Sequence, residues 1–367
     1  MSTTRPHART LVAIAIALAS SNALAQWRVV RLGPPNSTHS TTNSIGPRLV
    51  GGSANFNGTT HAVAWLDFTA DSWVDLHPLG FQSSMVTGVV PGQQVGNALV
   101  GDGHAHAGYW TGTAASWVDL NPTGAPSAWV NCTNGTTQGG YAQLHGGGDR
   151  AVLWFGSRDS VLDMSPKGYI GGSITGLAGN MQVGHGQTSQ TSHAGLWRGT
   201  PDSFVDLHPQ EATWSEASAT DGHQQVGVGI ALTDNAYLWQ ALLWNGTAES
   251  CVFLRPQGAT NSFASGVWGG FQVGSAEFNR KATASIWNGT PESWFDLGQF
   301  APKEYDQTGA HSIWADEHFM YVAGTGWNNA TNTAEALLWS RPIPAPSALP
   351  LCIAVAAISH RRRRPIP

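Results

Sequence analysis

One phrase is repeated along this chain: a Trp followed about ten residues later by Asp-Leu, across a Gly-Thr turn. A clear copy reads HAGLWRGTPDSFVDLHP at residues 193–209. The tryptophans that mark the repeat stand at positions 65, 110, 154, 197, 244, 287 and 339. Their spacing of 43 to 52 residues is typical of solenoids, propellers and other repeat arrays, in which each unit buries a face against its neighbour.

Each repeat divides into four short extended pieces separated by turn residues, which predicts four β-strands. The second piece always contains glycine, as in QQVGNA, MQVGHG and FQVGSA. Because glycine has no side chain to pack, we expect it to let one sheet lie closely on the next.

The two ends of the repeat region are complementary. The last repeat, AEALLW at 334–339, has no Asp-Leu strand after it, and the run that ends in Val30-Arg31-Leu32 has no Trp strand before it. We therefore predict an all-β fold, a seven-bladed β-propeller of four-stranded blades, closed by the N-terminal strand completing the last blade. The alternative is a linear stack of β-sandwich repeats, which would need unlike caps instead of complementary halves.

The low content of charged residues and their negative balance limit the classes of partner that this chain can bind. Charged residues make up only 11% of the chain, and residues 26–341 hold 12 basic and 23 acidic residues, a net charge of −11. Nucleic-acid binding needs a basic face, so no nucleic-acid partner is expected.

The first 25 residues differ from the repeats. Arg5 and Arg9 precede the apolar run LVAIAIALAS, and Ala23-Leu24-Ala25 forms a small-x-small cleavage site. This pattern predicts a signal peptide over 1–25, cleaved after Ala25. A membrane anchor is excluded because the apolar run is shorter than the ~20 residues that a spanning helix needs.

Residues 342–367 contain a Pro-rich spacer, a short apolar run and the four arginines Arg361–Arg364. This order resembles the PEP-CTERM type of C-terminal sorting signal, although Pro344-Ala345-Pro346 lacks the Glu of that family. The resemblance implies export, envelope processing and transient membrane contact through the chain ends, with the propeller occupying 26–341.

The repeat itself, HA-x-LW-x-GT with Asp-Leu and a downstream QVG, resembles the HAF-type repeats of bacterial extracellular proteins. Its strand layout is similar to that of kelch propellers, although the aromatic signature of kelch is not matched in full. Neither resemblance implies a reaction.

Residues that recur in equivalent positions are poor catalytic candidates, since a ring needs at most one active site. We expect structural hydrogen bonding for Asp75, Asp119, Asp163, Asp206 and Asp296, and turn or packing roles for His61, His106 and His193. Cys132 and Cys251 are expected to be free thiols. No nucleophile, phosphate-binding or dinucleotide motif is present, so we expect no cofactor, no metal and no catalytic residue that can be named.

Asymmetry marks two candidate sites. The stretch QFAPKEYDQTGAHSIWADEHF gathers Glu304, Tyr305, Asp306, His311, Asp316, Glu317 and His318, the densest ionisable cluster of the chain. Such a cluster is interpreted either as a site with perturbed pKa values or as a solvated insertion.

The second candidate site is aromatic. Five side chains follow the fourth strand of their repeats and are expected near one rim, where they either stack on sugars or plug the blade junctions: Phe81, Trp129, Tyr169, Trp214 and Phe263.

These observations favour a non-enzymatic, exported, monomeric protein that interacts with envelope polysaccharide or surface proteins. Two alternatives stay open. One is a propeller-type glycan hydrolase or lyase that uses the carboxylates of the ionisable cluster, and the other is a lectin that binds sugars at the aromatic rim.

Overall fold

The structure, a computed structural model, describes residues 26–144, 147–233 and 235–344. The predicted signal peptide with its cleavage site at Ala25, and the apolar run and arginines of the tail, lie outside the described residues. The assignments of 1–25 and 342–367 therefore stay predictions. Within the described ranges, no helix is long and apolar enough to cross a membrane.

Seven four-stranded antiparallel sheets make up the fold, and we call them blades 1 to 7 in chain order. The chain begins with β1 (Arg28–Arg31). Blade 1 contains β2 (His39–Gly46), β3 (Leu49–Phe56), β4 (Thr59–Trp65) and β5 (Trp73–Asp75). Blade 2 contains β6 (Ser83–Val90), β7 (Gln93–Leu99), β8 (Ala105–Trp110) and β9 (Val118–Asp119). Blade 3 contains β10 (Ala128–Thr133), β11 (Gln138–Gln143), β12 (Asp149–Trp154) and β13 (Leu162–Asp163).

The remaining blades follow the same order. Blade 4 contains β14 (Gly171–Ala178), β15 (Met181–Gln187), β16 (Ser192–Trp197) and β17 (Val205–Asp206). Blade 5 contains β18 (Ala212–Thr220), β19 (Gln225–Thr233), β20 (Ala236–Trp244) and β21 (Val252–Phe253). Blade 6 contains β22 (Asn261–Trp268), β23 (Phe271–Phe278), β24 (Lys281–Trp287) and β25 (Phe295–Asp296). Blade 7 contains β26 (Tyr305–Ala315), β27 (Phe319–Asn328) and β28 (Thr333–Pro342), with β1 as its fourth strand.

Short 3-10 turns lead into or follow the fourth strands. They comprise Ala70–Ser72, Ala114–Ser116, Arg158–Ser160, Pro201–Ser203, Ala248–Ser250, Pro291–Ser293 and Gly298–Phe300.

Blade 7 closes the ring by pairing the two ends of the repeat region. Strand β1 lies antiparallel to β28, with Val30 opposite Leu338, and Leu32 N–H donates to Ala336 O at 2.9 Å. This confirms the predicted seven-bladed propeller and excludes the linear stack. Closure pairs β28 on both of its edges, so it is not exposed to pairing with other chains.

The core lies between adjacent blades. All seven repeated tryptophans are buried, and Trp154 of blade 3, for example, packs with Val95, Ala107 and Leu120 of blade 2. Burying an indole removes on the order of 150–250 Å² from water, which makes these contacts the main source of cohesion between blades.

The repeated glycine of the second strands has a different role from the one predicted. A Cβ at Gly96 would lie 1.9 Å from Met85 O of the neighbouring strand, and one at Gly184 would lie 1.9 Å from Ser173 O. Each first strand carries a β-bulge just after this contact, between Val86 and Gly88 in blade 2. The close approach is therefore within one sheet, beside a bulge, and not between sheets.

Candidate functional site

The first strands of the blades surround a central channel. We call the end where these strands begin the first mouth and the end where they finish the second mouth. A cavity of about 400 Å³ occupies the channel towards the second mouth. Its walls include the bulged residue of every blade: Asn43, Thr87, Asn131, Thr175, Ser218, Ser265 and His311.

Five of the seven bulged side chains, all but Ser218 and Ser265, form a belt of hydrogen bonds along the channel. Asn131 Nδ2 donates to Ile174 O at 2.8 Å, and Thr87 Oγ1 donates to Val130 O at 2.7 Å. In each case the acceptor is the carbonyl just before the bulge of the next blade. Because the polar groups of the belt are occupied in this way, they stabilise the ring and are poor candidates for chemistry.

His311 belongs to this belt and not to a reactive cluster. Its Nδ1 bonds to Thr42 O across the closing junction of blades 7 and 1. Burial lowers the pKa of His311, so the imidazole is held neutral.

The ionisable cluster predicted from the sequence does not converge. Asp306 lies at the start of β26, where Lys281 binds it at 3.2 Å, whereas Asp316 accepts backbone N–H bonds from His318 and Phe319 in the turn after β26. An extended strand rises about 3.3 Å per residue, so these two carboxylates lie on the order of 30 Å apart, at opposite mouths.

The other members of the cluster also lie far from one another or are already paired with other residues. Glu304 pairs with Arg31 and Tyr305 bonds to Glu335, both at the first mouth. A backbone hydrogen bond and, to a smaller extent, the neighbouring Arg31 lower the pKa of Glu304. Glu317 lies with Asp316 and His318 at the second mouth and is exposed. The carboxylates assigned to the hydrolase alternative therefore do not share one site.

The five aromatic residues divide into two groups instead of forming one rim. Phe81 packs edge-on against Trp117, and Tyr169 packs edge-on against Phe204, both over the outer strands of their blades. The other group lies at the first mouth, and its members are Trp129, Trp214 and Phe263.

The repeated Asp residues make structural hydrogen bonds within each blade. Asp206 Oδ1 accepts from His208 N at 2.8 Å, and Oδ2 lies 2.8 Å from His193 Nδ1. Tyr169 O–H also donates to this carboxylate at 2.9 Å.

A Ser-His-Asp grouping appears here without a usable nucleophile. Ser215 Oγ lies 2.7 Å from His208 Nδ1, but Ser215 is fully buried and accepts from Ala194 N. A hydroxyl enclosed in this way is inaccessible to a substrate carbonyl, so the grouping serves the scaffold.

A second cavity, lined partly by polar residues, lies between blades 3 and 4 at the first mouth. This cavity, which we call the blade 3–4 cavity, has a volume of about 340 Å³ and is lined by Tyr141, Gly148, Asp149, Ile170, Gly171, Gly172, Ser173, His185 and Gln187. Its lining residues include Tyr141 of β11, Asp149 of β12 and His185 of β15.

A break in the repeat lies beside this cavity. In five blades a Ser or Thr of the first strand accepts the N–H of an Ala in the preceding blade, as Ser84 does from Ala62 at 2.9 Å. In blade 4 that position is Gly172, which lies opposite Gly186. This blade junction therefore lacks that hydrogen bond, and the ring of Tyr169 lies against Gly186.

The polar groups of the cavity are positioned by neighbouring residues. His185 Nδ1 is buried, has no hydrogen bond, and lies 3.7 Å from Glu216 Oε1 of blade 5. Asp149 Oδ1 accepts from Gln143 Nε2 at 3.2 Å. Burial and then the charge of Asp149 raise the pKa of Tyr141 to about 12, so its phenol carries a proton at neutral pH.

Sequence reasoning missed Tyr141, Asp149, His185 and Glu216. A signal was present: the residue after the repeated glycine is Ser53, Asn97, Val228, Ser275 or Thr325 in five blades, but Tyr141 and His185 in blades 3 and 4. Two adjacent blades thus carry a ring side chain at a position where the other five carry Ser, Asn, Val or Thr.

Metal and thiol chemistry receive no support within the part of the chain that the structure describes. No group of three His, Cys, Asp or Glu side chains there is arranged to hold a metal. Cys132 and Cys251 are free, and burial raises the pKa of each thiol to about 12.

Fold and site together define a seven-bladed β-propeller with a polar cavity at one blade junction. The structure is similar to puromycin hydrolase at a TM-score of 0.52 and 12% identity, covering 84% of this chain and 56% of that one. It is similar to the β-propeller domain of the Trilobed protease from Pyrococcus furiosus at 0.52 and 8% identity, covering 83% and 94%. A post-proline cleaving enzyme from Rickettsia typhi matches at 0.52 and 11% identity, covering 82% and 53%.

These likenesses establish the shared fold, and the chain spans about half the length of two of the three proteins. No protein-family model matches the chain, and no curated protein matches its sequence.

The comparisons contradict the expected non-enzymatic surface role. That expectation treated a propeller without a sequence motif as an interaction module, but the similar structures named above come from hydrolytic enzymes. The expectation is wrong, and the enzymatic alternative agrees better with the findings.

Proposed function

We propose that this chain is a propeller-type enzyme that cleaves glycosidic bonds, acting as a glycan lyase or hydrolase at the blade 3–4 cavity. The observation that carries the proposal is that Tyr141 and His185 line the same cavity from adjacent blades. One group is a protonated acid and the other is an imidazole beside a carboxylate, the pairing that general acid–base catalysis requires.

Roles follow from the surroundings of each group. His185, oriented by Glu216, accepts a proton from the substrate, and Tyr141 donates one to the departing sugar oxygen. Burial keeps the Tyr141 phenol protonated, so it has a proton to give to the departing oxygen.

Elimination needs one base and one acid and no added water. In that reaction His185 removes the ring proton beside a uronate carboxyl group, the C–O bond breaks as a C=C bond forms, and the leaving oxygen takes the proton of Tyr141. Charge, proton and electron pair balance without a further reactant.

Hydrolysis is the second candidate, because Asp149 places a carboxylate in the same cavity. In that case the base activates a water molecule, and the product carries no double bond.

Assaying the full chain on xylan, pectin and alginate tests the proposal, with new reducing ends and the ultraviolet absorbance of the unsaturated product as separate readouts. Removing an acid or base lowers rates by about 10²–10⁴-fold, and we expect this for Tyr141→Phe and His185→Gln. Tyr321→Phe, at the second mouth, is the matched control. The proposal is refuted if no polysaccharide is cleaved, or if Tyr141→Phe cleaves at the wild-type rate.

We also propose that the enzyme is exported and acts as a monomer on envelope or extracellular polysaccharide. The N-terminal signal pattern, the PEP-CTERM-like tail and the HAF-type, kelch-like repeat support this location. Mass spectrometry of the secreted protein tests it, since export with processing predicts a chain that begins at Gln26.

A further inference from the structure

The hairpin of blade 5 extends beyond its counterparts at the first mouth. Strands β19 and β20 have nine residues each, against six to eight in the same strands of blades 1 to 4 and 6. The extra length carries Leu232, Tyr237 and Trp239, whose exposed fractions are 60%, 64% and 37%. Large apolar side chains clustered in solvent usually mark a binding surface.

Three aromatic rings make this surface rigid. The rings of Trp239 and Trp214 are 5.3 Å apart at 71°, and those of Trp239 and Phe263 are 5.9 Å apart at 30°. The backbone N–H of Trp239 also donates to Asn261 Oδ1 of blade 6 at 3.1 Å, which fixes the strand that carries the ring. The ring contacts hold the indole in place, so little order has to be gained when a ligand stacks on it.

The surface lies at the same mouth as the blade 3–4 cavity, at the junction of blades 5 and 6. Trp214 and Glu216 are two residues apart on β18 and therefore project from the same side of the sheet. Glu216 is the carboxylate beside His185. We call Trp214, Tyr237, Trp239 and Phe263 the aromatic platform.

We propose that the aromatic platform binds an extended polysaccharide, stacking sugar rings of the chain while a neighbouring sugar lies in the blade 3–4 cavity. The proposal rests on the proposed glycosidic cleavage and adds to it the substrate class, a polymer and not a short oligosaccharide. Flat indole and phenol faces suit the C–H faces of sugar rings, and the flanking Glu216 offers a carboxylate to sugar hydroxyls.

A sugar polymer suits the platform better than a second copy of this chain. The exposed rings are interleaved with polar groups that already pair with one another, such as Asn261 Nδ2 with Glu277 Oε2 at 3.0 Å. Stable interfaces between proteins instead bury a continuous apolar centre from which charged residues are depleted.

Native affinity electrophoresis of the full chain in gels containing xylan, pectin or alginate tests the platform. We expect Trp239→Ala to weaken retardation about tenfold or more, and Trp239→Phe to weaken it less because a smaller ring still stacks. Trp268→Ala is the matched control, since Trp268 is 41% exposed but lies at the second mouth. Thermal unfolding of each variant checks that it is folded.

The outcomes separate the two proposals. Tyr141→Phe should abolish cleavage and keep retardation, whereas Trp239→Ala should raise KM for polysaccharide and leave cleavage of short oligosaccharides unchanged. Equal retardation of Trp239→Ala and wild type would overturn the platform, as would a wild-type dimer that dissociates on this substitution. Retardation without any cleavage would refute the proposed function alone.

Discussion

Gly172 lies directly opposite Gly186 in blade 4, at the sheet position where five other blades hold a Ser or Thr that bonds to the preceding blade. The blade 3–4 junction thus lacks a hydrogen bond that five other junctions contain.

We expect Gly172→Ala to disturb the cavity. The added Cβ would lie 2.3 Å from His185 O, and overpacking of this kind costs about 1–3 kcal/mol. Because the contact moves the strand that carries His185, glycan cleavage should fall with stability. Gly148→Ala is the control: it lines the same cavity, has no atom within 4 Å of its Cβ, and should change stability by less than about 0.5 kcal/mol. Urea unfolding and activity of both variants check this, and equal effects would contradict it.

The repeated tryptophans should differ in how well they tolerate Phe. Trp197 Nε1 donates to Met164 O at 3.0 Å, whereas Trp154 Nε1 is buried without a partner. Trp197→Phe removes a hydrogen bond and leaves a buried carbonyl unpaired, so it should cost about 1–2 kcal/mol more than Trp154→Phe. Chemical denaturation measures the difference. A larger loss for Trp154→Phe would show that packing alone decides these positions.

Each hydrogen bond of the belt along the channel should make its own contribution to the stability of the fold. Asn131→Ala removes the hydrogen bonds of Asn131 Nδ2 to Ile174 O and to Ser173 Oγ in blade 4, which should lower the free energy of unfolding by about 1–3 kcal/mol. Ser265 occupies the equivalent position of blade 6 and makes no such bond among the described contacts, so Ser265→Ala should stay within about 0.5 kcal/mol of wild type. Indistinguishable melting temperatures for the two variants would contradict a stabilising belt.

Stacked histidines should make the fold sensitive to acid. His193 and His208 stack at 4.0 Å, and His61 and His77 at 4.2 Å. Burial, and then the charge of the stacked partner, lowers the pKa of His208 and of His77 below the ordinary 6.5. Below that pH the unfolded chain binds protons that the folded chain does not, so stability is full above pH 6.5 and falls as the pH decreases.

Urea unfolding at about pH 7.5 and about pH 5 measures this slope, which we expect to be shallower in His77→Gln/His208→Gln. The exposed His39 supplies the control, because His39→Gln should keep the wild-type slope. A double variant as acid-sensitive as wild type would show that other groups are responsible.

The number of blades, the four strands of each, the buried tryptophans and the closing strand could all be predicted from the sequence. These features follow from local periodicity and from a count of strands at the two ends, as the pairing of Val30 with Leu338 shows. A repeated unit that cannot bury its own faces has few ways to fold, so its pattern alone fixes the architecture.

Only the tertiary structure decided which residues meet. Asp306 and Asp316 are near in sequence but far apart in space, because a strand is extended and runs from one mouth to the other. Tyr141 and His185 are far apart in sequence but line one cavity, because equivalent positions of adjacent blades come to the same level of the ring, and His185 also lies beside Glu216 of the next blade. Residues that are close in sequence lie along one blade, whereas the candidate site is built from residues of three blades.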